Sequence, residues 1–156
     1  MRDRDEVINR LALQMFEMTK RTWLQAQREK FKGGYDLSES EFLALDALER
    51  VSHLSVGELR RFVGVLPAQM SRVIKALEQR YDEKLVLCAI NRQDKRKIDV
   101  SITAKGRRAV QAYRRAKILA IVEALRPLSD RDLRLLTEIL DRIGRAFGPG
   151  QAAGPP

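Results

Sequence analysis

Between Ser55 and Ile102 the sequence spells a helix, a short turn, a second helix and a β-hairpin with a cationic tip, an order that few folds accept. Ser55, with Glu58 three residues on, makes a capping-box pattern ahead of Leu59, Phe62 and Val63. Gly64 is suited to the positive φ that ends a helix. Pro67 fits the first turn of the next helix, where its missing N–H costs nothing. Met70, Val73, Ile74 and Leu77 then carry an apolar stripe to about Arg80. Leu85 to Ile90 is apolar and β-compatible, Asn91 to Lys97 is polar and basic, and Ile98 to Ile102 alternates with period two. This is the order of a winged helix-turn-helix.

The flanks read as helices. From Asp5 to about Phe31, Val7, Ile8, Leu11, Met15, Met18, Thr22, Trp23 and Ala26 recur at helical spacing, and Gly33-Gly34 should stop the helix. Ser38 and Glu41 form a second capping box before Phe42, Leu45, Leu48 and Val51. Thr103 caps a helix running through Val110, Tyr113, Lys117 and Leu125 to Pro127, and Ser129 caps the last one. There Leu133, Leu136, Leu140, Ile143 and Phe147 are spaced 3, 4, 3 and 4, a seam suited to a second helix. Both C-terminal helices are more apolar than one small core requires, which predicts a homodimer. The expected fold class is mainly α with a small β-hairpin (α+β). Residues 1–147 form one expected domain, with 5–31 and 104–147 as dimerisation helices around a lobe at 38–103. The Gly/Pro/Ala-rich stretch 148–156 is an expected disordered tail.

Charge points to the partner. Lys and Arg number 30 against 21 Asp and Glu, and the excess is concentrated: Ser55 to Arg108 holds 13 basic and 6 acidic residues. A clustered cationic surface on a domain of this size predicts a polyanion. On the second helix of the motif, about 100° per residue puts the apolar stripe on one arc and Ala68, Arg72, Lys75, Ala76 and Gln79 on the other, flanked by Gln69 and Ser71. That arc contains no acid. Arginine can pair with guanine, glutamine with adenine, and small residues with thymine methyls, so duplex DNA is the expected partner. An RNA duplex hides its bases in a groove too narrow for a helix. At the hairpin tip, Arg92, Lys95, Arg96 and Lys97 surround Asp94 and make a wing able to enter a minor groove. Asp94 either orients the Arg96 guanidinium or simply forms the turn.

Other classes are excluded on the same page. One histidine, His53, and one cysteine, Cys88, leave no structural zinc set and no internal disulfide. No Gly-x-Ser-x-Gly, P-loop or Gly-x-Gly-x-x-Gly is present, so neither an enzymatic activity nor a cofactor is expected. The longest purely apolar run is Leu85 to Ile90, far short of a membrane span, and the N-terminus lacks the apolar stretch of a secretory leader. The cytoplasm is the expected compartment.

Five segments, in order, resemble the MarR-type winged-helix transcriptional regulators. Leu37-Ser38-x-x-Glu41-Phe42-x-x-Leu45-x-x-Leu48 is similar to their second helix, and Leu59-x-x-x-x-Gly64-Val65 to the start of their helix-turn-helix. Met70-Ser71-Arg72-x-Ile74-x-x-Leu77-Glu78 resembles their recognition helix, Asp94-Lys95-Arg96 their wing, and Ile102-Thr103-x-x-Gly106-Arg107 the entry to their fifth helix. The resemblance implies a homodimer on a pseudo-palindromic operator, usually a repressor, relieved by small aromatic acids or phenols. Three departures stand out. Leu66-Pro67 occupies the place of the usual Ser or Thr cap on the recognition helix. Gln79 to Leu85 lacks the usual glycine and is a few residues longer. Cys88 lies in the second strand, where a buried structural role is expected, rather than in the N-terminal helix used by the family's peroxide sensors. Trp23, Tyr35, Phe42 and His53 either line an effector pocket between the dimer helices and the lobe or belong to the core. A DNA binder with no effector and a winged-helix protein-interaction module are the competing readings.

Overall fold

The computed structural model describes residues 2–30 and 35–146. Phe31, Gly33-Gly34, Phe147 and the tail at 148–156 lie outside the described residues. The elements are α1 (Arg2–Lys30), α2 (Glu39–Val51), β1 (His53–Ser55), α3 (Val56–Val63), α4 (Pro67–Gln79), β2 (Val86–Ile90), β3 (Ile98–Ile102), α5 (Ala104–Leu125) and α6 (Asp130–Ala146). The chain is mainly helical, with a small antiparallel sheet. No helix among the described residues is long and apolar enough to cross a membrane.

Local chemistry explains most boundaries. Ser38 and Ser55 both close full capping boxes, each hydroxyl accepting from the backbone N–H of Glu41 or Glu58 while that glutamate accepts from the serine N–H. Gly64 ends α3 in the left-handed region at φ 72°. Thr103 caps α5 by accepting the Gly106 N–H at 2.9 Å. The Ser129 hydroxyl accepts the Asp132 N–H at 3.2 Å.

The sheet has three strands in the order β1-β3-β2, where the sequence predicts only a hairpin. β1 is three residues long and pairs Leu54 with Val100. A strand that short carries too few alternations to show a period. Its pairing on β3 decides it, and Ser52, at φ 70°, turns the chain from α2 into it.

The core fills the space between α2, α3, α4, the sheet and the first half of α5, around Leu45, Leu48, Leu59, Met70, Leu77 and Val100. Two buried carboxylates on α2 are paired, as burial demands. Glu41 accepts from Ser38 N–H and Arg80 Nη2, each at 2.7 Å. Asp46 meets Arg50 at 3.1 Å and Arg114 at 2.6 Å, and Arg114 also reaches Glu49 at 2.8 Å. These pairs join α2 to the segment after α4 and to α5.

Outside this lobe the apolar surface stays open. α1 packs along α5 yet leaves Leu11, Leu13, Phe16 and Met18 exposed, and α5 leaves Ile118, Leu119 and Val122 exposed. α6 has no buried residue, and Leu135, Ile139 and Leu140 face solvent.

Candidate nucleic-acid interface

The candidate face is built by α3, the turn Gly64 to Leu66, and α4. Met70, Val73, Ile74 and Leu77 anchor α4 in the core. The opposite face leaves Ala68, Gln69, Ser71, Arg72, Lys75 and Gln79 exposed, with Ala76 half-buried. Not all of these side chains are idle. The Ser71 hydroxyl donates to the Pro67 carbonyl at 3.1 Å, and the Gln69 amide leans toward Ser40 Oγ at 3.5 Å. Arg72, Lys75 and Gln79 extend from the middle of the face. Glu78, at its edge, is half-buried on the side of Cys88, so the exposed face carries cations and amides and no carboxylate.

The wing is organised by Asn91, an uncharged residue that the charge pattern does not mark. Its side-chain carbonyl accepts the N–H groups of Gln93 and Asp94 at 2.9 and 2.8 Å, and its amide donates to both Asp99 oxygens. An asparagine at the end of a strand followed by a polar run is the available signal for such a turn. Asp94 is a turn former and not the guanidinium anchor of Arg96. Its carboxylate accepts the Arg96 backbone N–H at 3.1 Å and lies 3.9 Å from Lys97 Nζ. Arg92, Lys95, Arg96 and Lys97 are all exposed around this frame. Arg96 and Lys97 line a cleft with Arg61 of α3, a third cation legible only as an exposed charge in that helix's last turn. Glu58 also borders this cleft; the hydrogen bonds from the Ser55 hydroxyl and N–H, followed by the charges of Arg61 and Lys97, hold its carboxyl below the usual range.

Several basic residues of the middle third face the lobe instead. Arg80 donates to the Asp36 carbonyl, Glu41 and the Tyr81 hydroxyl. Lys105 pairs with Glu83 at 3.2 Å, and Arg107 reaches the Glu49 carbonyl at 3.3 Å. The longer segment after α4 is thereby folded back onto α2 and α5, and Leu85 N–H closes it on the Leu77 carbonyl at 2.9 Å.

The four aromatic candidates do not converge. Trp23 lines a cleft of about 380 Å³ with Asp36, Ser38, Glu39, Arg80, Tyr113 and Lys117. Phe42 stands behind that wall, stacked on Tyr113 with centroids 4.5 Å apart. Tyr35 packs edge-on against Tyr81 at 5.8 Å. His53 belongs elsewhere: β1 carries it to a separate cleft beside Asn91, Lys97 and Asp99, because pairing with β3 turns it toward the wing. Tyr113 and Lys117, both on α5, line the Trp23 cleft, and Tyr35 and His53 do not. Cys88 is half-buried rather than buried, and burial followed by the charge of Glu78 pushes its thiol up to about 11.

No family model matches the sequence, and no curated protein matches it. Solved structures do. A MarR family protein from Bacillus stearothermophilus superposes with a TM-score of 0.77 at 15% identity, covering 92% of this chain and 96% of that one. This chain has the MarR-type winged-helix fold. MepR, a transcription regulator of the Staphylococcus aureus multidrug efflux pump MepA, shares this MarR-type fold with a TM-score of 0.66 at 16% identity, covering 88% of this chain and 95% of MepR. BpsR of Bordetella bronchiseptica, whose DNA binding is regulated by 6-hydroxynicotinic acid, gives 0.53 at 20% identity, covering 84% of this chain and 98% of BpsR.

Proposed function

We propose that this protein is a transcriptional regulator that binds duplex DNA as a homodimer, with α4 in the major groove and the wing over the adjacent minor groove. The observation that carries the reading is the exposed face of α4, which holds Arg72, Lys75 and Gln79 without an acid, beside a wing whose four cations are exposed. Base edges are met by Ala68, Gln69, Ser71, Arg72, Lys75 and Gln79, and the narrow groove and phosphates by Arg92, Lys95, Arg96 and Lys97. Two lobes related by a twofold axis read a pseudo-palindromic operator, and occupancy represses.

Salt dependence is the direct test. Each phosphate neutralised releases condensed counterions and contributes a slope of about −0.9 to the log–log plot of affinity against salt. A dimer with several contacts per half-site therefore gives a slope steeper than about −3 in fluorescence-anisotropy titrations. A flat dependence removes the electrostatic basis of the reading.

The cleft at Trp23 is the proposed effector site, taking a small aromatic acid whose ring packs on Trp23 and whose carboxylate approaches Lys117, held 5.3 Å over the Tyr113 ring. Its volume of about 380 Å³ suits a single-ring ligand, and the regulation of BpsR by a hydroxylated pyridine carboxylic acid supports the choice. The ligand lowers operator affinity only by binding more tightly to the spacing of the two α4 helices that DNA rejects. Trp23 is the one tryptophan in the chain, so its fluorescence reports this cleft. Salicylate-like acids titrated to millimolar levels are expected to quench it and weaken operator binding over one concentration range, with DNA weakening the acid by the same factor. Unchanged fluorescence and affinity would leave a DNA-binding protein without this effector.

A further inference from the structure

Leu66 is the most exposed large hydrophobic side chain among the described residues, at 73% of its full area. An isolated exposed leucine is ordinary on a protein surface. Its position is not. Leu66 is the N-cap of α4, a place where serine, threonine, aspartate or asparagine normally accepts a backbone N–H, and here the cap makes no side-chain hydrogen bond. The residue forgoes capping and leaves an apolar side chain at the leading end of the recognition helix, the end whose residues approach base edges in a major groove.

The backbone holds it there. Proline at 67 restricts the preceding residue to extended conformations, and Leu66 sits at φ −71° and ψ 155°. Its carbonyl accepts the Met70 N–H at 3.0 Å, which ties it to the first turn of α4. Ala68 beside it is exposed and small, so nothing bulky shields the leucine from an approaching groove. Further along α4, Arg72 and Lys75 are exposed cations that draw a polyanion to this helix. In a major groove, the apolar group available to a leucine is the C5-methyl of a pyrimidine, carried by thymine and by 5-methylcytosine.

We propose that Leu66 is a specificity-determining residue that packs on a pyrimidine C5-methyl group, that of thymine in unmodified DNA, at a fixed position in each half-site. This rests on the DNA-binding reading above and adds a base preference to it. Leucine supplies no hydrogen bond to a phosphate or a base, so its contribution is selective for the methyl rather than general for DNA.

The test begins with the intact chain selecting its sites from random duplex DNA. Each thymine of the selected duplex is then replaced singly by deoxyuridine, which removes only the methyl. At one thymine per half-site the unmodified protein is expected to lose roughly fourfold in affinity, the value of one buried methyl-sized group. Leu66→Ala is expected to bind the thymine and uracil duplexes equally at that position while keeping its other preferences. Changing that T·A pair to C·G and then methylating the cytosine should restore part of the lost affinity for the unmodified protein and none for Leu66→Ala, which separates methyl contact from recognition of the T·A pair. If no uracil substitution distinguishes the two proteins while both still bind the selected duplex, the proposal fails and the DNA-binding reading stands. If the unmodified protein selects no duplex, the DNA-binding reading itself has failed. A change in oligomeric mass in Leu66→Ala would assign the leucine to a contact between chains and overturn the proposal.

Discussion

Leu136→Asp combined with Leu140→Asp is expected to convert the proposed dimer to a monomer at micromolar concentration. α6 buries none of its residues within one chain, yet it presents a continuous apolar face to solvent. Burying a leucine contributes about 1.5–3 kcal/mol, and a twofold interface counts each position twice, so the double substitution removes far more than a micromolar dimer can spare. It also sets carboxylates against apolar neighbours. Light scattering should read the dimer mass for the unmodified protein and the monomer mass for the variant, and operator affinity should fall with it because the two lobes are no longer coupled. The core of the lobe contains no α6 residue, so its near-ultraviolet signal should persist in the variant. A monomer mass for the unmodified protein would contradict the proposed assembly.

Gly106→Ala should destabilise the lobe by about 3 kcal/mol, the sum of a steric shift and weakened hydrogen bonds, although the same change in an unobstructed helix stabilises by up to about 1 kcal/mol. A Cβ at Gly106 would stand 2.2 Å from the Leu85 carbonyl oxygen and 2.8 Å from Ile102 Cγ1. The oxygen cannot yield alone, because it accepts the Thr103 N–H and hydroxyl, both at 3.1 Å. Moving it loosens the cap of α5 and the start of β2 together. Differential scanning calorimetry should find the melting temperature lowered by about 10 °C, taking a few degrees per kcal/mol for a chain of this size. Gly57→Ala is the matching control, since a Cβ there meets nothing within 4 Å. It should leave stability unchanged or raise it slightly. Equal effects from both substitutions would refute the steric explanation.

Helix boundaries were legible because their causes are local. A serine three residues before a glutamate, a glycine after an apolar stripe and a proline in a first turn act within one turn of chain, and the structure starts α2, α3 and α4 and ends α3 at those residues. The apolar stripe of α4 was legible for the same reason, and with it the set of residues left on the outer face. What the sequence could not decide was every outcome that depends on a distant partner. β1 exists because Leu54 finds Val100 across the sheet, and three residues alone carry no measurable period. Arg80, Lys105 and Arg107 count as cations in any charge map, yet Glu41, Glu83 and the Glu49 carbonyl turn them toward the lobe. Composition records how many charges a segment holds; only folding decides which of them are already answered. His53 shows the same limit in reverse. It shares an aromatic character with Trp23, Tyr35 and Phe42, but β1 carries it to the wing, while Tyr113 and Lys117, far along the chain on α5, come to stand beside Trp23. The sequence by itself determined the helices, the cationic middle third and the apolar surplus of the terminal helices. The tertiary structure decided which charges face outward and which side chains share a cleft, because those depend on contacts between residues tens of positions apart.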